Sequence, residues 1–158
     1  MPDRILIRKP DDALGGITAK TGTAAYVLYY HFVFRPKWNR PAFAEDARAA
    51  AIIDAITRTC EEHGYLVFGV SVLPDHVHAV LSLPPDVAPA TAARYVKGAS
   101  ARRFNAACGG AGSLWSDGYA VEAVGKKNVY QVLSYLANQD EHHGVTPGSS
   151  RGSMPSAY

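Results

Sequence analysis

The chain has 158 residues, 47% of them hydrophobic and 19% charged, with a formal net charge of +2; that suffices for one domain with its own core and is too weakly basic to announce a nucleic-acid partner. No stretch approaches the ~18 apolar residues of a membrane span, and the polar opening "MPDRILIRKPDDALGG" lacks the apolar centre of a secretory signal. Cys60 and Cys108 carry no paired spacing, which argues against a zinc ribbon or a disulfide framework, so the composition reads as a cytoplasmic protein without a membrane partner.

Residues 1–24 are polar, contain a Gly-Gly pair and read as a flexible leader. "AYVLYYHFVFR" (25–35) is rich in β-branched and aromatic residues and predicts a strand. A proline-bounded loop, "RPKWNRPAF", leads into residues 43–63, where apolar residues at helical spacing predict a helix stopped by Gly64. Two strands follow at 65–73 and 76–83, separated only by Pro74 and Asp75, so they should form an antiparallel hairpin. "PATAARYVKGASARRFNAA" predicts a second helix and "CGGAGS" a connector. Residues 118–124 predict a short strand, 128–143 a third helix, and 144–158 have the composition of a disordered tail. The single domain is thus expected at 25–143.

The order β-α-β-β-α-β matches the split βαβ plan, an α+β, ferredoxin-like or RRM-like antiparallel sheet with two helices on one face. The third helix remains to cover part of the other. In "LPDHVHAVLSL" (73–83), His76 and His78 flank one valine. Alternate strand residues share a face, so the two imidazoles should stand together on the face away from the helices. Such a pair suits a metal ion, and it equally suits the polar side of a half-buried sheet.

On the third helix, Val129, Val132, Leu133 and Leu136 form one stripe, with Tyr135 and Gln139 four apart at its edge. Placed over the histidines, that edge completes a site in which His76, His78 and Gln139 hold a divalent ion. Nitrogen and oxygen donors without thiolate favour Mg²⁺ or Mn²⁺ over structural zinc. Tyr135 would be the nucleophile; a free tyrosine has a pKa of ~10 and needs activation. A lone tyrosine beside an apolar stripe also serves simple packing.

Five motifs in order resemble the single-tyrosine transposases of small bacterial insertion sequences, within the HUH endonuclease superfamily. They are "YYHFVFRPKWNRPAF", "LPDHVHAVL", "VKGASARRFN", "LWSDGYAVEAVG" and "YLANQ". The resemblance runs from about Tyr26 to His142 and departs from the family pattern at Asn39, where an arginine is common. It implies that Tyr135 is the nucleophile, that His76, His78 and Gln139 are the metal ligands, and that the protein is a homodimer. It also implies a substrate of single-stranded DNA with hairpins near the element's ends, cleaved and rejoined through a 5′-phosphotyrosine, with no small-molecule cofactor.

In that setting Lys37, Arg40, Lys97, Arg102 and Arg103 would track the DNA backbone. Trp38, Tyr95, Trp115 and Tyr119 would stack on bases, unless they are core residues. His31, His63, His142 and His143 lie in no motif that assigns them chemistry. Three alternatives remain: a domesticated REP-associated tyrosine transposase acting on repeated palindromes, a non-catalytic single-strand-binding module, and a phosphodiesterase that releases its product.

Overall fold

A computed structural model describes residues 4–8, 19–21, 24–26 and 28–138. Strands β1 (Ile5–Ile7), β2 (Ala19–Thr21), β3 (Ala24–Tyr26) and β4 (Tyr29–Phe34) precede helix α1 (Asp46–Glu62). Strands β5 (Leu66–Leu73) and β6 (His76–Ser82), helix α2 (Pro89–Cys108), strand β7 (Ala120–Val124) and helix α3 (Val129–Ala137) follow. Among the described residues the main sheet runs β1-β5-β6-β4-β7, antiparallel throughout, and β2 pairs only with β3. The β4-α1-β5-β6-α2-β7 portion is the split βαβ arrangement the sequence predicts, with β4 and β6 central.

Alternation divides the sheet cleanly. Phe32, Phe34, Val70, Val72, Val77, Ala79 and Leu81 face α1 and α2, where Ile52, Ile56, Val96 and Phe104 complete the larger core. Tyr29, Val80 and Val124 face the other way and meet Val129, Val132, Leu133 and Leu136 of α3. Each α3 residue predicted for the packing stripe is buried. The third helix therefore covers part of the second face, chiefly beside β5 and β1.

Two details differ from the sequence reading. The proposed leader is not loose throughout, because Ile5–Ile7 pairs with Gly69–Ser71 as an edge strand. Leu6 packs on the larger core and Ile7 on the smaller, so the triplet covers apolar surface on both faces. Arg4 anchors it, its guanidinium donating to Asp46 and to the carbonyls of Phe43 and Ala44. The strand expected at 25–35 is also divided, since Ala24–Tyr26 pairs back on β2 while Tyr29–Phe34 enters the main sheet. The expected disordered tail, His142, His143 and Gln139 lie outside the described residues.

Candidate active site on the second sheet face

Strand β6 places His76, His78 and Val80 on the α3 face, with Val77 and Ala79 in the opposite core. The shared face predicted for the two imidazoles is what the fold provides, with ring centroids 5.0 Å apart. His78 is almost fully buried, and His76 is at the rim.

Each ring has its Nδ1 engaged. His76 Nδ1 lies 2.8 Å from Asp75 Oδ1, so the ring donates to the carboxylate and its lone pair resides on Nε2. His78 Nδ1 lies 2.9 Å from Nε2 of His31, and these two rings stack at 5.1 Å. If His78 Nδ1–H donates to His31, the lone pair of His78 likewise resides on Nε2. Paired in this way, both imidazoles suit divalent-metal ligation, in which a second hydrogen bond sets the tautomer. Among the described residues, no group of three or more His, Cys, Asp and Glu side chains could hold a metal ion.

His31 is a neighbour of the candidate site that sequence reasoning missed. It is completely buried on β4, and its Nδ1 has no hydrogen-bond partner among the described residues. Burial lowers its pKa to about 4. For His78, burial and then the charges of His31, His76 and Arg35 lower the value to about 3. Both rings are therefore neutral at ordinary pH, the state a metal ligand requires. Burial pushes the Asp75 carboxyl up, but the hydrogen bond and charge of His76, with the charge of Arg35, outweigh it and leave a net lowering.

Helix α3 brings Tyr135 to the same face. Gly69 on β5 permits the close approach: a Cβ there would lie 2.8 Å from Leu133 Cδ2 and 3.2 Å from Leu136 Cδ1. A register irregularity between Val67 and Gly69 accompanies it. With the helix so seated, half-buried Tyr135 meets His78 edge to face, centroids 6.2 Å apart and planes at 84°. The strand histidine and the helix tyrosine, 57 positions apart, are thus neighbours within one chain.

The basic and aromatic candidates separate into two groups. Residues 35–37 run beside 114–116, joined by hydrogen bonds from Lys37 N to Leu114 O and from Ser116 N to Arg35 O, 2.9 Å each. Arg40 adds a contact to Ser113 O at 3.1 Å. Trp38 projects from this loop, 78% exposed, with φ +62° and the Lys37 ammonium 4.9 Å from its ring. Arg102 is exposed on α2.

Lys97, by contrast, donates to the carbonyls of Ser116, Asp117 and Gly118 at 2.7, 3.1 and 2.9 Å, tying α2 to the loop before β7. Burial lowers its pKa, partly offset by Asp117. Arg103 reaches Thr59 Oγ1 at 2.8 Å and the Glu62 carboxylate, linking the two outer helices. Tyr95 stacks on His63 with centroids 4.8 Å apart. Trp115 is a core residue whose Nε1 donates to Ser100 Oγ at 3.1 Å, and Tyr119 packs on Phe32.

The chain is similar to known proteins in sequence and in fold. The family described as "Transposase IS200 like" matches residues 24–139. A transposase for insertion sequence element IS200 from Salmonella typhimurium is 30% identical over 118 residues, covering 71% of this chain and 76% of the relative. The ISDra2 transposase TnpA of Deinococcus radiodurans is 29% identical over 122 residues, 73% of this chain and 86% of the relative. Among solved structures, a candidate transposase from Deinococcus radiodurans superposes with a TM-score of 0.61 at 26% identity, covering 77% of this chain and 98% of its own. A REP-associated tyrosine transposase bound to a REP hairpin shares the fold, with a TM-score of 0.58 at 18% identity over 81% of this chain and 76% of its own.

Proposed function

Because the chain belongs to the IS200-like transposase family, and so to a class of DNA-processing enzymes, we propose that it cleaves and rejoins single-stranded DNA at hairpin-bearing ends with Tyr135 as nucleophile. The observation that carries this reading is the edge-to-face contact of Tyr135 with His78, which sets a candidate nucleophile beside the histidine pair on a partly covered sheet face.

The Tyr135 oxygen attacks the scissile phosphorus as its phenolic proton leaves to solvent, and the bond from phosphorus to the 3′-oxygen breaks. That oxygen takes a proton and departs as a 3′-hydroxyl, while the 5′-phosphate stays joined to the tyrosine. Attack by the 3′-hydroxyl of another strand reverses the step and restores a phosphodiester. Because a phosphoester persists throughout, the ends can be rejoined without an external energy source. His76 and His78, with Gln139, would hold a divalent ion, Mg²⁺ or Mn²⁺, which when bound polarises the phosphate oxygens.

His31 and Asp75 orient the two rings, and Leu133 and Leu136 against Gly69 fix the helix that presents the tyrosine. Of the predicted cations, Lys37, Arg40 and Arg102 remain open to the DNA backbone, and exposed Trp38 suits stacking on an unpaired base. A second copy of the chain completes the functional unit as a homodimer, as family membership suggests.

The test is covalent capture. Labelled single-stranded DNA carrying the hairpin ends of the host locus is incubated with wild type and His76→Ala, with Mn²⁺ or with chelator. A denaturation-resistant adduct should form with wild type and Mn²⁺ and disappear in the other arms. DNA that binds well yet yields no adduct would mark a non-catalytic binding module instead.

A further inference from the structure

Arg35 follows the last residue of β4 and has no role in the chemistry above. Strand alternation sends Phe32 and Phe34 into the helix-side core and Val33 to the other side, so Arg35 continues on the face of the histidines. The register pairs Val33 with His78 and Phe34 with Val77, which brings the next residue out beside His76. Its charge is felt at both Asp75 and His78. The backbone there is held firmly, the Arg35 carbonyl accepting from Ser116 N at 2.9 Å and Pro36 bridging to Trp115.

The side chain is nonetheless unfinished. Arg35 Nε is shielded from solvent and has no hydrogen-bond partner among the described residues. An unmatched buried donor on a guanidinium is costly, and a planar fork of this kind is shaped for a phosphate's paired oxygens. Arg35 thus offers this end of the face a fixed positive charge for an anionic diester.

We propose that Arg35 is a further catalytic residue, whose guanidinium Nε and terminal nitrogens bind the non-bridging oxygens of the phosphodiester presented to Tyr135. This rests on the reading of the second sheet face as a phosphodiester site. The contact holds the phosphate in place and counters the added negative charge as the phenolic oxygen attacks. It also supplies the missing acceptor for the buried Nε–H.

The test uses the metal-free full chain and the dinucleotide dTpdT, observing the Arg35 Nε–H signal by ¹H–¹⁵N NMR. That signal is assigned by its absence in Arg35→Lys. Titration with dTpdT should move it downfield, whereas the neutral methylphosphonate dinucleotide should leave it in place. Binding of dTpdT should weaken about tenfold in Arg35→Gln, recover in part in Arg35→Lys, and stay unchanged in Arg58→Gln on the far side of α1. An Arg35 signal indifferent to dTpdT overturns the proposal, as does equal affinity of wild type and a folded Arg35→Gln. The Tyr135 adduct is a separate readout: its absence alongside an intact Arg35 response counts against strand transfer while upholding the phosphate contact.

Discussion

His31 Nε2 lies 2.9 Å from Nδ1 of His78, joining a fully buried residue of β4 to a candidate metal ligand of β6. This hydrogen bond ties the two rings together and holds that of His78 in place. Replacing His31 with phenylalanine keeps an aromatic body and removes the hydrogen-bonding nitrogen. Affinity for Mn²⁺, followed by the decrease of the free-ion EPR signal, should fall roughly 10–100-fold. Unchanged affinity would mean that His31 only fills space.

The same burial makes stability depend on pH. The folded-state values for His31 and His78, about 4 and about 3, lie below the ordinary 6.5, so the unfolded chain binds more protons between those limits. Stability should therefore be full above pH ~6.5 and decline as the pH falls toward the folded values, by about 1.4 kcal/mol per unit for each ring. Urea midpoints of the metal-free protein between pH 7 and pH 5 measure this. His31→Phe should flatten the decline, and a pH-independent wild-type midpoint would contradict the assignment.

Gly69 sets the height of α3 above the sheet. In Gly69→Ala the new methyl group meets Leu133 Cδ2 and Leu136 Cδ1 at 2.8 and 3.2 Å, so the helix or its leucines must yield. The expected cost is about 1–3 kcal/mol in denaturant unfolding. Displacement of Tyr135 should lower the rate of adduct formation by more than the lost stability explains, since sub-ångström placement governs such steps.

Lys97 and Lys37 should separate under one assay. The Lys97 ammonium is committed to the carbonyls of Ser116, Asp117 and Gly118. Lys97→Met should therefore cost about 1–3 kcal/mol of stability while leaving the salt dependence of single-strand binding unchanged. Lys37→Ala should reduce that log–log slope by about 0.7, the signature of one lost phosphate contact, with little effect on unfolding.

What was legible in the sequence was local. The alternation around His76 and His78, the Pro74–Asp75 turn and the stripe of Val129, Val132, Leu133 and Leu136 each follow from a short period, and they yield the hairpin, its face and the helix upon it. What was illegible depends on pairing between distant segments. His31 gains its role only because β4 lies beside β6, a neighbour relation no spacing within β4 encodes. Ile5–Ile7 is too short to display a period, and its partner strand begins some sixty residues later. Lys97 reads as an open cation until the loop before β7 folds over it.

Identification of the residue that carries the DNA tests the central claim most directly. The adduct formed with Mn²⁺ would be digested with nuclease and protease, and the nucleotide-bearing peptide sequenced by mass spectrometry. A 5′-nucleotide linked to Tyr135, and no adduct from Tyr135→Phe, is the predicted result. A nucleotide on any other residue, or an adduct that survives in Tyr135→Phe, would contradict the account.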